Sequence, residues 1–154
     1  MKILMISTEY PPMQGGVGRY CKKLVDSLRN EGMQVVVVCN EDGNGDYSGI
    51  SPNNQNNSKI LLKIVKEVKP DVVHVQYEHG LYGIHLDPIN PRKTHTNIES
   101  FYDECTVPIV TTFHSAYTFT QWMKLVVPLN NRIFGRFGTF LRMVYDYWTH
   151  LLNY

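Results

Sequence analysis

The chain is 154 residues long, which suits one ordinary domain, taken here as residues 1–154, and leaves no room for a second full one. A net charge of +1 with 19% charged residues gives no broad field, so we expect no nucleic-acid partner. Three cysteines without zinc spacing indicate reduced, buried thiols. No run reaches transmembrane length, so we expect a cytoplasmic protein, with peripheral attachment to the inner face of the membrane as the alternative.

Residues 1–40 predict a strand, a helix and a second strand, which together form a βαβ unit. Lys2 to Ile6 and Val35 to Val38 are short apolar runs of the kind that parallel strands buried on both faces show. Between them, apolar residues recur every three or four positions and predict a helix with one face toward the sheet, which Gly32 ends. These helix positions are Val17, Tyr20, Cys21, Leu24, Val25 and Leu28.

The loop between the first strand and the helix, Tyr10 to Arg19, carries the clearest chemical signal and is called the glycine loop. Two adjacent prolines lead the chain out of the strand in an extended form, and Gly15, Gly16 and Gly18 then allow close backbone approach. The free amides and the positive dipole end of the following helix predict an anion site, to which Arg19 adds a guanidinium. The alternative is that the glycines only make a tight turn and that Arg19 lies on a solvated face.

The middle of the chain predicts a loop, a helix and a third strand. Residues 40–58 are rich in asparagine and glycine, which is typical of a mobile loop. Ser58 is the predicted cap of a helix that ends before Pro70, because the residue preceding a proline resists the helical conformation. The apolar run Asp71 to Gln76 then predicts the third strand.

Two further loops begin where predicted strands end. A non-regular segment, Tyr77 to Thr94, follows the third strand and opens with Glu78 and His79. His114 follows the last predicted strand, Ile109 to Phe113. Because the carboxyl ends of parallel strands meet at one edge of a sheet, we expect both loops to converge there with the glycine loop and to form a binding site.

Two helical segments complete the prediction. Thr96 or Asn97 is expected to cap a short helix that precedes Pro108. Residues 119–154 predict an aromatic-rich helical segment whose apolar face is wider than one stripe. Such a face either packs against the sheet or contacts a membrane or a partner, including a second copy of the chain, and the sequence leaves these alternatives open.

Taken together, the chain resembles the N-terminal domain of the retaining GT-B glycosyltransferases of family four. Starch and glycogen synthases are similar at the first loop, but they have a lysine where Gln14 stands, which disfavours that branch. The resemblance implies an α/β fold, with a Rossmann-like parallel sheet flanked by helices, as the N-terminal half of a GT-B fold. It is carried by Ser7 to Pro12, Gly15 to Tyr20, Pro70 to Gly80 and Pro108 to His114.

The same resemblance implies roles for individual residues. Gly16 is expected beside the donor diphosphate, and its neighbours in the glycine loop, which include Arg19, are expected to line the same cleft. His114 matches the family's histidine near the transferred sugar and is the candidate catalytic residue. Glu78 and His79 are expected to face the acceptor or the cleft.

The implied reaction transfers a sugar from a nucleotide-sugar donor to a hydroxyl of a glycan, lipid or small-molecule acceptor. The family needs no metal or other cofactor for this, because helix dipoles and basic side chains take the phosphate charge. We expect no C-terminal, donor-binding domain within these 154 residues. We therefore expect an incomplete catalytic unit that is inactive alone, as a truncated product or one part of a split enzyme.

Three other interpretations of the sequence are possible. A dinucleotide-binding oxidoreductase would use the glycine loop, but the third glycine of that fingerprint falls at Cys21. A non-catalytic interaction module would use the aromatic segment as its contact surface. A metal site would combine His74, His79 and His85 with Glu78, but their spacing matches no familiar ligand pattern, and His74 suits a strand residue with a hydrogen-bonded ring.

Overall fold

The computed structural model describes residues 1–83, 85–86 and 94–115. One compact unit comprises Met1–Leu86 and Thr94–His114. The predicted aromatic-rich segment, residues 119–154, lies outside the described residues. No helix among the described residues is long and apolar enough to cross a membrane.

A parallel sheet of four strands organises this unit. Its strands are β1 (Lys2–Ile6), β2 (Gln34–Val38), β3 (Val72–Tyr77) and β6 (Ile109–Phe113), and they lie side by side in the order β2-β1-β3-β6. The helices are α1 (Gly16–Asn30), α2 (Asn57–Val68) and α3 (Glu99–Glu104), and a short 3-10 helix spans His79–Tyr82. A separate antiparallel pair consists of β4 (His85–Leu86) and β5 (Thr94–His95).

The strands alternate between two apolar cores, because successive side chains of a strand point to opposite faces. Leu4 and Ile6 of β1 belong to a cluster that includes residues of α2 and α3, whereas Ile3 and Met5 belong to a cluster that includes residues of α1. Helices therefore cover both faces of the sheet. This arrangement confirms the predicted Rossmann-like α/β fold.

The first helix is close to its prediction. Val17, Cys21 and Val25 are buried, and the chain leaves the helix through Gly32, whose φ of 79° suits a glycine. Tyr20 departs from the predicted apolar stripe, since it remains 47% exposed. Its ring contacts the end of β6 instead of the core.

Residues 40–58 are tied to the sheet at two points. The backbone of Tyr47 pairs with Val38, and the Asp46 carboxylate accepts a hydrogen bond from the Val37 amide at 2.7 Å. Ile50 is fully buried. These contacts explain how a segment so rich in asparagine and glycine is anchored, while its mobility stays a prediction.

The predicted cap at Ser58 is wrong. The helix α2 begins at Asn57 after Asn56, so Ser58 lies inside its first turn. The hydroxyl of Ser58 accepts a hydrogen bond from the Phe101 amide at 3.1 Å and donates to the Asn97 carbonyl at 3.2 Å. The serine therefore joins α2 to the start of α3, a long-range contact that local sequence cannot indicate.

The predicted start of the last short helix is also early. The helix α3 begins at Glu99 after Ile98, rather than directly after Thr96 or Asn97. The side chain of Glu99 reaches back and accepts a hydrogen bond from the Thr96 amide at 2.9 Å. The preceding segment, predicted as non-regular, contains the 3-10 helix and the β4–β5 pair.

Candidate functional site

The glycine loop turns back on itself through Glu9. The Ser7 hydroxyl donates a hydrogen bond to the Glu9 carbonyl at 2.6 Å, and the Glu9 carboxylate accepts one from the Gly18 amide at 2.8 Å. A carboxylate at the amino end of a helix is stabilised by the exposed amides and the helix dipole. The prediction that these amides are free is therefore wrong for Gly18, because the Gly18 amide already donates its hydrogen bond to the Glu9 carboxylate.

The three loop glycines have different surroundings. A methyl group built on Gly15 would overlap the Glu9 carboxyl group, and one built on Gly18 would lie 3.2 Å from the Glu9 backbone. A methyl group on Gly16 would meet no atom of the described residues within 4 Å, and Gly16 is exposed. Gly15 and Gly18 thus make room for Glu9, whereas Gly16 faces open space. Of the three, Gly16 is the one that leaves room for a ligand.

Two amides of the first turn of α1 remain for an anion. Gly18 donates to Glu9, and the Arg19 amide donates to the Gly15 carbonyl at 3.3 Å. Among the described residues, Gly16 and Val17 have no recorded acceptor for their amides. The side chain of Arg19 is exposed on the same turn. If the predicted anion site exists, the amides left to form it are therefore those of Gly16 and Val17, beside the exposed Gly16.

His114 is held by contacts from two elements. Its backbone amide donates to the Tyr77 carbonyl at 3.0 Å, which continues the pairing of β6 with β3. Its Nε2 lies 2.8 Å from Oε1 of Gln76, a fully buried side chain of β3. The ring of Tyr20 meets the imidazole edge-on at a centroid distance of 5.1 Å and an angle of 77°. Tyr20, the fifth residue of α1, thereby joins the start of this helix to His114, which directly follows β6.

Glu78 and His79 follow directly on β3. Glu78 has extended backbone, is half-buried, and its carbonyl accepts a hydrogen bond from the Leu81 amide at 3.0 Å. His79 begins the 3-10 helix. Because β1, β3 and β6 are neighbours, the loops that follow them leave the sheet at one edge, as the sequence predicted. Whether Glu78 and His79 contact an acceptor stays a prediction.

His74 behaves as the predicted strand residue. Its Nε2 lies 2.8 Å from the Thr112 hydroxyl. Burial, and then the nearby His114, lower the pKa of His74. Within the described ranges, no group of three or more histidine, cysteine, aspartate or glutamate side chains is arranged to hold a metal ion.

The cysteines are free thiols. Cys21 and Cys39 are buried as predicted, whereas Cys105 is half-buried. Burial raises the pKa of Cys21 to about 12 and also raises the pKa of Cys39. Since the thiolate is the reactive form, neither buried cysteine suits a nucleophile at neutral pH.

Three residues that shape this edge of the sheet were not placed in the site from the sequence: Glu9, Tyr20 and Gln76. Glu9 lies between a strand and two prolines. No sequence pattern indicates that its carboxylate accepts a hydrogen bond from the Gly18 amide of the following helix. Tyr20 fitted the helical apolar period. Gln76 did give a signal, because an amide at the end of an apolar strand needs a partner when buried.

These features define a Rossmann-like α/β domain in which a glycine loop and a histidine follow neighbouring parallel strands. The sequence profile of Glycosyltransferase Family 4 matches residues 14–145, which is most of the chain. The chain belongs to Glycosyltransferase Family 4, and the predicted family is confirmed. Comparison with curated proteins gives no match.

Proposed function

We propose that this chain is the N-terminal, acceptor-side half of a retaining glycosyltransferase that transfers a sugar from a nucleotide-sugar donor to an acceptor hydroxyl. Family membership supports sugar transfer at the coarse level. The observation that carries the finer proposal is the open space above Gly16, in a loop whose helix is joined to His114 by Tyr20. A diphosphate at Gly16 would place the attached sugar on the side of His114.

The proposed chemistry depends on charge and position rather than on a covalent step through this chain. A retaining transfer needs the leaving diphosphate stabilised while the acceptor hydroxyl is held at the anomeric carbon. The amides of Gly16 and Val17, the dipole of α1 and the exposed Arg19 would supply positive potential for the diphosphate. The proposal therefore includes no metal and no other cofactor.

The nucleotide of the donor would be bound by a C-terminal domain that the 154 residues do not contain. In this proposal the present chain supplies half of the cleft and is inactive without its partner domain. Glu78 and His79 would face the acceptor, which is a glycan, a lipid or a small molecule. We place the reaction in the cytoplasm, with peripheral contact at the inner face of the membrane as a variant of the proposal.

The test begins with the reading frame downstream of Tyr154, which should encode a second α/β domain. The chain is then expressed alone and together with that domain, and each preparation is incubated with UDP-, GDP- and ADP-sugars. We expect release of nucleoside diphosphate only when both halves are present. ¹H NMR of the earliest released or transferred sugar should show the anomer of the donor. A product of opposite configuration would contradict the retaining mechanism.

The site itself is tested by filling the space at Gly16. Because that space is open, Gly16→Leu is expected to fold normally and to reduce turnover of the donor at least 10-fold by obstructing the diphosphate. Ser27→Leu, at an exposed position in the second half of the same helix, is the matched control and should turn over normally. Equal activity of the two variants would contradict the proposal that Gly16 lies beside the donor diphosphate.

A further inference from the structure

Gln76 is an unusual residue for its surroundings. It is the fifth of the six residues of β3, and its side chain is fully buried in a strand that is otherwise largely apolar. Burying an amide costs free energy unless its polar atoms find partners. Here both ends of the amide do so, and these two contacts offset the cost of its burial.

The two contacts determine which way the amide faces. Its Nε2 lies 3.3 Å from the sulfur of Met5, and its Oε1 lies 2.8 Å from Nε2 of His114. A thioether sulfur is only an acceptor, so the NH₂ group of Gln76 belongs on the side of Met5. The reverse orientation would place the carbonyl oxygen against the sulfur and lose that hydrogen bond. The carbonyl oxygen of Gln76 therefore faces the imidazole.

This orientation dictates the proton position on His114. A carbonyl oxygen accepts but cannot donate, so Nε2 of His114 must carry a proton and donate it to Gln76. In the neutral ring, Nδ1 then has no proton and presents a lone pair. The two ring nitrogens point in nearly opposite directions, so Nδ1 points away from the buried amide.

We propose that Gln76 is a positioning residue that fixes His114 in the Nε2–H tautomer and leaves Nδ1 as a hydrogen-bond acceptor at the open edge of the sheet. Tyr20 complements this role, because its edge-on contact limits rotation of the ring. The inference rests on the proposed function only for its use in catalysis. The tautomer itself is a property of the isolated chain.

The consequence for ligand recognition is specific. An unprotonated Nδ1 accepts a hydrogen bond from a hydroxyl group, but it has no proton to donate to a phosphate oxygen. In the proposed cleft, the neutral His114 side chain would therefore contact a hydroxyl-bearing part of the ligand. The anionic diphosphate would be left to the glycine loop.

The experiment needs no substrate. The 154-residue chain is labelled with ¹⁵N in its histidine rings, and long-range ¹H–¹⁵N spectra are recorded at a pH where His114 is neutral. The six histidines are distinguished by comparing the chain with its His114→Gln variant. We expect a protonated Nε2 and an unprotonated Nδ1 for His114. A protonated Nδ1 would overturn the proposal without any further variant.

Two substitutions then test whether Gln76 is the cause. Gln76→Leu removes the acceptor and should shift the tautomer ratio toward Nδ1–H by about 2- to 10-fold, the effect of one ordinary hydrogen bond. Gln76→Glu keeps an acceptor of the same shape and, at a pH where the ring is neutral, should preserve the Nε2–H tautomer. An unchanged ratio in Gln76→Leu would refute the role of Gln76. These results do not depend on sugar transfer, so they separate a failure of this inference from a failure of the proposed function.

Discussion

Replacing Gly15 with alanine should destabilise the chain through Glu9. The backbone of Gly15 is extended, with φ of −168°, so alanine meets no backbone strain there. Its methyl group would, however, occupy the space of the Glu9 carboxyl group. Since that group is the end of a flexible side chain, the least costly response is for Glu9 to rotate away and lose its hydrogen bond to the Gly18 amide.

The loss of a hydrogen bond to a charged group sets the size of the effect. Such a bond contributes about 1.5–3 kcal/mol, so Gly15→Ala should lower the free energy of unfolding by about that amount. With a slope near 2 kcal/mol/M, the midpoint of urea unfolding would fall by roughly 1 M. Gly16→Ala is the matched control, because its methyl group meets none of the described residues and alanine favours helix by up to about 1 kcal/mol over glycine.

The assay is urea denaturation followed by circular dichroism at constant pH, applied as a double-mutant cycle. Glu9→Ala should be destabilising by itself, and Gly15→Ala should then add little in that background, because there is no carboxylate left to displace. The reasoning would be refuted if Gly15→Ala cost as much in the Glu9→Ala background as in the parent chain. The same reasoning would be refuted if Gly16→Ala lowered the free energy of unfolding as much as Gly15→Ala does.

Three further predictions use features away from the glycine loop. The pKa of His74 is lower in the folded chain than the usual value near 6.5, so the unfolded state takes up that proton first and the stability falls as the pH drops below about 6.5. His74→Gln should lose less stability between pH 7 and pH 5, and an identical pH dependence of urea midpoints would contradict this. Asp46→Ala removes the carboxylate that accepts from the Val37 amide and should lower the free energy of unfolding by about 1.5–3 kcal/mol, whereas Asp42→Ala, at an exposed position in the same loop, should change it by less than about 0.5 kcal/mol. Iodoacetamide should modify half-buried Cys105 before Cys21, which peptide mass spectrometry of the native chain would show, and faster labelling of Cys21 would contradict its burial and raised pKa.

Local sequence patterns predicted the strands well, because each strand is a short run rich in β-branched and other apolar residues. Ile109 to Phe113 was predicted with the bounds that the structure shows, and Val35 to Val38 missed only Gln34. The edge where their loops meet followed from the rules for parallel sheets, whereas the order of the strands came from the structure. Positions that combine periodicity with a clear breaker, such as the end of α1 at Gly32, were equally predictable.

Side-chain contacts between distant segments were not predictable from the same patterns. Serine is a residue type that favours helix caps, yet the hydroxyl of Ser58 forms hydrogen bonds with Asn97 and Phe101, about forty positions further along the chain. Tyr20 fits the apolar period of α1, yet it lies against His114. In each case local propensity describes what a residue can do, and the tertiary neighbour decides which of these it does.

The glycine loop shows the same limit at the candidate site. The glycines correctly marked a place of close approach, but the sequence could not indicate what approaches each one. The structure assigns Glu9 to Gly15 and Gly18 and leaves Gly16 open. The roles of Gly16 and His114 toward a donor remain proposals that derive from resemblance and from this geometry.

The most direct test of the account is the rate of sugar transfer by His114→Ala in the full reading frame that contains this chain. The matched control is Val110→Ala, a half-exposed position on the same strand but away from the carboxyl edge. The account predicts a loss of at least about 100-fold in kcat for His114→Ala, the scale of one preorganised polar group, with wild-type turnover in Val110→Ala. Wild-type kcat in a folded His114→Ala variant would contradict the claim that this edge of the sheet faces the reacting sugar.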